Sequence, residues 1–481
     1  MADFCKRRNA GQKFRNAGDN WRNAGRDRRG GSGDDRRASD DERRSGSGDD
    51  RRNAGQERRE SRFYELRVEK MVQGGDGMGR LPDGRVCFVQ GALPGELCKV
   101  FLTFSKKDFT RGRAVEIMES SPDRVSPVCP LYGKCGGCSL QHLDSARQVE
   151  YMEQVERENF RRLAHAELPV DFKIHHGSPW GYRNRARVVF AHSKNSFGFR
   201  EQESNDLVAF ENCPVLTPAL NDFLKGAGRR LCAENIRARE LNVFDNRSGQ
   251  IAYYYRGMPA DEFEKNAVCT VDVCGRKIKT DASVFFQSNL GLLPELVEAV
   301  RRAVDEGIRS GEASDEWLID LFSGVGFFAA LLQDKFKRIT TVEREEGCLR
   351  HARVNLGAVP NSASKEASGS AQDEKLRAAS GTSKPALENV SAPAEEWLVD
   401  HVVDVPATLI VDPPRTGLPK EALEAIIASS VNRLIYVSCD PVTLARDYAK
   451  FTAAGFALRH AEGFAFYPQT PHLEMMFVLS R

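Results

Sequence analysis

TLIVDPPR at residues 408–415 and LIYVSCDP at residues 434–441 decide how this chain is read. In each, a short β-branched apolar run gives way abruptly to polar residues. Strands of an open α/β sheet end this way, presenting polar groups to a crevice at their carboxyl ends. One end carries the carboxylate of Asp412, the other the thiol of Cys439. Upstream, DLFSGVG at 320–326 reads as a strand and a glycine turn, and Ile339 to Val342 as a second strand ending at Glu343. A carboxylate after the second strand can accept both ribose hydroxyls of an adenosyl cofactor. Ala329 stands where a dinucleotide fingerprint would place its third glycine. The expectation is a doubly wound domain over 281–481 that binds S-adenosylmethionine rather than NAD. The polar, small-residue stretch at about 361–384 reads as a flexible insertion within it.

A chain of 481 residues is too long for one compact domain. Hydrophobic residues make up 41%, enough to build cores, and no apolar run is long enough to span a bilayer. The N-terminal stretch lacks the apolar segment of a secretory signal, and its acidic residues argue against a transit peptide. A cytoplasmic protein is expected, with no membrane contact and no obligate protein partner. The net charge of +2 hides an asymmetry, because residues 1–62 hold 18 Lys and Arg against 12 Asp and Glu. That segment repeats Asn-Ala-Gly and Gly-Ser-Gly-Asp-Asp-Arg-Arg and is nearly devoid of aliphatic residues, so it reads as a disordered arm. It would either hold RNA phosphates loosely or act as a solubilising tail.

Residues 63–119 alternate short apolar runs with turn signals, the pattern of a small OB-like barrel. Lys106, Lys107, Arg111 and Arg113, interleaved with Phe104 and Phe109, suit a nucleic-acid face on it. Residues 120–280 open on CPLYGKCGGC, which spaces Cys129, Cys135 and Cys138 as C-x5-C-x2-C. Cys213, in Glu-Asn-Cys-Pro, is the choice for a fourth ligand. Four thiolates suit zinc or a [4Fe–4S] cluster, and the presence of only one C-x2-C pair favours iron–sulfur. The other cysteines show no ligand spacing. WGYRNRAR at 180–187 alternates aromatic and basic side chains, as a strip that stacks on bases would, or an exposed charged strand.

FFQSN (285–289), DLFSGVG, Glu343, DPPRTG (412–417), YVSCDP (436–441) and HLE (472–474) together resemble the RNA uracil-C5 methyltransferases. The barrel and CGGC motif resemble the RumA/RlmD-like branch, which modifies 23S ribosomal RNA. The resemblance covers about 63–481. It implies an N-terminal TRAM barrel, an α+β central domain holding a [4Fe–4S] cluster, and a class I, Rossmann-like methyltransferase domain. Carried over by position, Cys439 matches the nucleophile and Glu474 the base. Gln287, Phe322, Glu343 and Asp412 match cofactor-pocket positions, and Asn389 matches another across the insertion. His472 is a second candidate base, and Arg415 either positions substrate or pairs with a carboxylate. Phe327 departs from the asparagine common after the glycine turn, which removes a polar contact to the cofactor. Two rivals remain within RNA chemistry: an enzyme acting on tRNA, and an iron–sulfur RNA-binding protein with impaired catalysis. An amino methyltransferase would want an aromatic where Arg415 stands, and no cysteine.

Overall fold

The strands that end at Asp412 and Cys439 lie side by side in the middle of a large twisted sheet. The computed structural model describes residues 62–357 and 385–481. The insertion expected at about 361–384, and the arm expected over 1–62 apart from Arg62, lie outside the described residues.

Five strands, β1 (Phe63–Met71), β2 (Gly77–Arg80), β3 (Val86–Gln90), β4 (Leu97–Ser105) and β5 (Phe109–Glu119), form a closed barrel in the order β1-β2-β3-β5-β4. Alternation along the strands turns Leu66, Val68, Cys87, Val89, Cys98 and Val100 into its core. Outside, Phe109 meets Phe88 and Phe104 at ring distances of 6.0 and 5.7 Å, with Lys106 over Phe104 and Arg111 and Arg113 exposed nearby in sequence.

Beyond the barrel come a helix (Ser145–Leu163) capped by Asp144, and the short strand β6 (Lys173–His175). Strands β7 (Arg185–Ala191), β8 (Ser196–Arg200), β9 (Leu207–Phe210), β10 (Glu240–Asp245) and β11 (Ile251–Tyr255) make an antiparallel sheet ordered β11-β10-β7-β8-β9. WGYRNRAR runs into β7 but is mostly not a surface strip. Tyr182 and Asn184 are buried, and Arg185 lies over the Phe244 ring with a guanidinium hydrogen bond to Ala282. Aromatic–basic alternation serves packing there, and Arg187 alone of its arginines is exposed.

After a hairpin of β12 (Val268–Val273) and β13 (Arg276–Asp281) come β14 (Trp317–Leu321), β15 (Arg338–Glu343), β16 (Ala386–Ser391), β17 (Ala407–Val411), β18 (Val431–Ser438), β19 (Ala457–Phe464) and β20 (Glu474–Ser480). Their sheet runs β16-β15-β14-β17-β18-β20-β19-β6. The first five strands are parallel, β20 runs antiparallel to β18, and the order reverses between β14 and β17. That reversal opens the crevice. Strands β17, β18 and β20 are apolar on both faces because both faces are covered. Leu409, Val411, Leu434 and Tyr436 face one core, and Ile410, Ile435 and Val437 face the other.

Two pieces of the stretch read as a central domain pack on this sheet instead. The helix Ser145–Leu163 inserts Phe160 against Phe477 and Tyr448, at 5.0 and 5.8 Å between rings, and β6 extends the edge beside β19. The helix presents an apolar stripe that the small antiparallel sheet leaves uncovered.

The loop after β17 is fixed to the helix Pro441–Ala453. Asp447 accepts the Leu418 N–H at 3.0 Å and the Tyr436 hydroxyl at 2.9 Å. Gly417, at φ +73°, lies where a Cβ would come within 2.6 Å of the Arg446 guanidinium and 2.8 Å of an Asp447 oxygen. Gly417→Ala is expected to cost roughly 1–3 kcal/mol through backbone strain, read as a lower urea midpoint. An unchanged midpoint would show that the loop needs neither the conformation nor the space.

Candidate active site

Four strand ends and one strand start converge on the crevice. Phe322 and Ser323 follow β14, Glu343 ends β15, Asp412 follows β17, Cys439 follows β18, and Glu474 begins β20. The pairing Ser438↔Met475 brings Glu474 across from Cys439, so the tail of the chain faces the thiol through register alone. Asp440, next to Cys439, caps the following helix by accepting the Val442 and Thr443 N–H groups, both at 3.0 Å. The thiol thus sits at the hinge between a strand and a capped helix.

At the turn after β14, Phe322 adopts φ +58°, unusual for a residue with a side chain. Glu343 holds this turn, accepting the Gly324 N–H at 2.9 Å on one oxygen and the Glu345 N–H at 2.8 Å on the other. Asp320 accepts the Ala329 N–H at 3.0 Å. Its second oxygen, the Ser323 hydroxyl, the Gln287 side-chain oxygen and one Glu474 oxygen are buried with no hydrogen-bond partner among the described residues. Buried polar atoms are normally paired. Four unpaired ones on the strands and loops around one crevice mark where a polar ligand belongs, and they fit an amino-acid nucleoside. Sequence reasoning did not single out Asp320 and Ser323, although both lie inside the quoted DLFSGVG.

Asn389 is not among these groups. It lies two residues short of the end of β16, and its side-chain oxygen accepts the Thr341 hydroxyl at 2.8 Å. Phe327 packs edge-on against Phe286 at 5.7 Å, so the departure from asparagine extends the core that backs Gln287.

Burial dominates the electrostatics. It pushes Asp320 up to about 7, reinforced by the charges of Asp412 and Glu343 and opposed by the Ala329 hydrogen bond. It raises Asp412 as well, and Glu474 is raised by burial and by Asp412, with Arg415 opposing. The Cys439 thiol is pushed up to about 12 by burial and by the Glu474 and Asp412 charges, again with Arg415 opposing. His472 keeps an exposed edge, but the protein packed around its ring and the charges of Arg415 and Arg183 hold it uncharged.

Cys129, Cys135, Cys138 and Cys213 line a single cavity of about 30 Å³, with Leu131, Phe199 and Val215. Asn221 fixes the Cys213 backbone at both its N–H and its carbonyl, and the Gly136 N–H is bonded to the Arg200 carbonyl. Among the described residues no three His, Cys, Asp or Glu are gathered closely enough to hold a metal ion.

The fold and crevice define a methyltransferase of the class I type fused to a small barrel. The model of the tRNA (Uracil-5-)-methyltransferase family matches residues 268–481, and that of the TRAM domain matches residues 57–115. An uncharacterized RNA methyltransferase of Treponema denticola is 30% identical over 86% of this chain and 98% of its own length. The 23S rRNA (uracil(1939)-C(5))-methyltransferase RlmD of Edwardsiella ictaluri is 30% identical over 84% of this chain and 92% of its own. The chain belongs to the S-adenosylmethionine-dependent RNA (uracil-5-)-methyltransferase family. Its fold is similar to that of the Pyrococcus abyssi tRNA (uracil-54, C5)-methyltransferase solved with S-adenosyl-L-homocysteine, with a TM-score of 0.60, 21% identity, and coverage of 86% of this chain and all of that one. No helix among the described residues is long and apolar enough to cross a membrane.

Because the Glu474 charge raises the thiol and the Arg415 charge lowers it, Glu474→Gln is expected to move alkylation of Cys439 to lower pH, and Arg415→Ala to higher pH. At fixed pH, each variant's alkylation rate then changes about tenfold for every pH unit its profile moves. Mass spectrometry of the Cys439 peptide against pH checks both; identical profiles would refute the coupling.

Proposed function

We propose that this protein methylates C5 of a uridine in 23S ribosomal RNA through a covalent Cys439–C6 adduct, with Glu474 as the base. The observation that carries the reading is the β18–β20 register, which sets a buried carboxyl across from a thiol at the lip of a crevice lined with unpaired polar atoms. Gln287, Phe322, Glu343 and Asp412 hold S-adenosylmethionine, with Asp320 and Ser323 as added neighbours; Asn389 is left out. Glu343 is the ribose acceptor, and the unpaired oxygens of Gln287 and Asp320 take the cofactor's donors.

Uracil C5 is too weak a nucleophile to be methylated unaided. Cys439 gives its proton to water and its sulfur bonds to C6, while the C5–C6 π electrons move onto the C4 carbonyl as an enolate. Bound S-adenosylmethionine supplies an electrophilic methyl group to C5 and leaves as a neutral thioether. Glu474 then takes the C5 proton, the freed pair restores the C5–C6 double bond, and the C6–sulfur bond breaks to return the Cys439 thiolate. The target base must leave its stack to reach the half-buried thiol, which favours unpaired loops. Lys106, Lys107, Arg111 and Arg113 on the barrel give phosphates a place to rest.

The choice of 23S rRNA follows the RlmD relatives. The fold does not decide it, because the tRNA enzyme of Pyrococcus abyssi is similar over 86% of the chain. Tests of 5-methyluridine in both RNAs, from cells with and without the gene, separate the two.

Cys129, Cys135, Cys138 and Cys213 hold a [4Fe–4S] cluster in this reading. Four thiols lining one cavity suit soft metals, and they would hold the cluster as thiolates. The cluster would cross-link the Cys129–Cys138 segment to the Cys213 loop.

Cys439→Ala is expected to lower turnover by about 10⁴-fold or more, while RNA still binds. Wild-type protein with a 5-fluorouridine transcript and methyl donor should yield a denaturation-resistant adduct at Cys439, because fluorine at C5 leaves no proton for Glu474 to remove. Turnover in the alanine variant would end the nucleophile assignment. Anaerobically purified protein should be brown, with iron and sulfide in cluster proportion; colourless protein with stoichiometric zinc would overturn the iron assignment.

A further inference from the structure

Glu474 is delivered by the loop between β19 and β20, and the middle of that loop is gripped by the segment that follows the cysteine motif. Gln469 is 1% exposed and sits at φ +68°, a left-handed conformation that strains a residue with a side chain. Its carbonyl accepts the N–H groups of both Ser139 and Leu140 at 3.0 Å, the two residues directly after Cys138. Its side-chain oxygen accepts a hydrogen bond from Gln148 Nε2, and its own N–H donates to Gln148 Oε1, each at 3.0 Å. Gln148 Nε2 is shared with the carbonyls of Leu140 and Leu143, both at 3.1 Å. One residue earlier in the loop, the Pro468 carbonyl accepts the Tyr182 hydroxyl at 3.0 Å. A strained residue bound through its carbonyl, N–H and side chain is over-determined, and such strain persists only where the surroundings enforce it.

We propose that Gln469 and Gln148 are positioning residues for the release half of the reaction: together they hold the loop so that Glu474 meets the C5 proton of the methylated adduct. The proposal rests on the reading of Cys439 as nucleophile and Glu474 as base. Cys439 lies on the opposite strand and is fixed by the helix cap at Asp440, so loosening the loop leaves attack at C6 intact. What suffers is removal of the C5 proton, and with it re-formation of the C5–C6 double bond and cleavage of the C6–sulfur bond. The two halves of the reaction are thus anchored separately.

The test mixes wild type, Gln148→Ala, Gln469→Ala and Glu474→Gln with an unsubstituted 23S rRNA fragment and methyl donor. Gln148→Ala leaves the loop's own sequence unchanged and serves if Gln469→Ala fails to fold. The expected result is a full first-turnover burst of methyl transfer, a kcat lower by about tenfold or more, an unchanged KM for the methyl donor, and a methylated, denaturation-resistant adduct on both glutamine variants. Wild-type turnover in folded Gln148→Ala overturns the proposal. So does loss of the burst together with turnover, which marks a merely structural role. If Glu474→Gln accumulates adduct and the glutamine variants do not, the positioning role falls and the base assignment stands. If Glu474→Gln accumulates none, the base assignment falls and takes the proposal with it.

Discussion

The antiparallel pairing of β20 with β18 is the constraint on which the site depends. Side chains alternate along a strand, so a slip of one residue would turn Glu474 to the far face and bring a neighbour to Cys439. The register is held by burial on both faces, since Tyr436 pairs with Phe477, Ile435 with Val478 and Leu434 with Leu479. A slip would drive these side chains into the wrong core. The helix Ser145–Leu163 adds to the hold, because Phe160 packs directly on Phe477. Sequence from before the antiparallel sheet thereby helps to fix the last strand of the chain.

The second constraint is desolvation. Asp320, Asp412 and Glu474 are carboxyls taken out of water, and burial is the leading cause of each upward shift. The same environment holds Cys439 as a neutral thiol, a form that resists oxidation and stray alkylation. A positive charge lodged against Asp412 and Glu474 would offset the carboxylates that hold the thiol up. The sulfonium of a bound methyl donor carries such a charge, so on the proposed reading the nucleophile gains strength as the crevice fills. Binding and activation then share one electrostatic cause.

Much of this is legible in local pattern. TLIV and LIYV are continuous apolar runs because both their faces are covered, and the residues that follow them have to point into the crevice. The barrel follows from turn spacing. What local pattern misses is which neighbour a segment chooses. The helix after the cysteine motif and the three residues of β6 join the large sheet through contacts hundreds of residues away in sequence. WGYRNRAR reads as either an RNA strip or an exposed charged strand, because alternation of rings and cations serves surface and interior packing equally. Asn389 matches a cofactor position only across the insertion at about 361–384, and its side-chain oxygen is bonded to the Thr341 hydroxyl. Gln469 carries no sequence signal, since its importance lies in a backbone angle and in hydrogen bonds to residues that follow the cysteine motif.

The division of labour across the molecule follows from these anchors. The chemistry is written into one sheet, where five strand termini meet and the groups are fixed within a rigid, buried frame. Recognition of the RNA belongs to surfaces that the frame does not constrain. Phosphate contacts from the barrel's cations orient a strand but carry no sequence information. A fold similar to that of a tRNA enzyme can therefore serve a different RNA without altering the crevice, provided an unpaired uridine can be extruded into it. On the proposed reading, selection of the target rests on which uridine can leave its stack to meet the half-buried thiol, which excludes any base still paired in a helix.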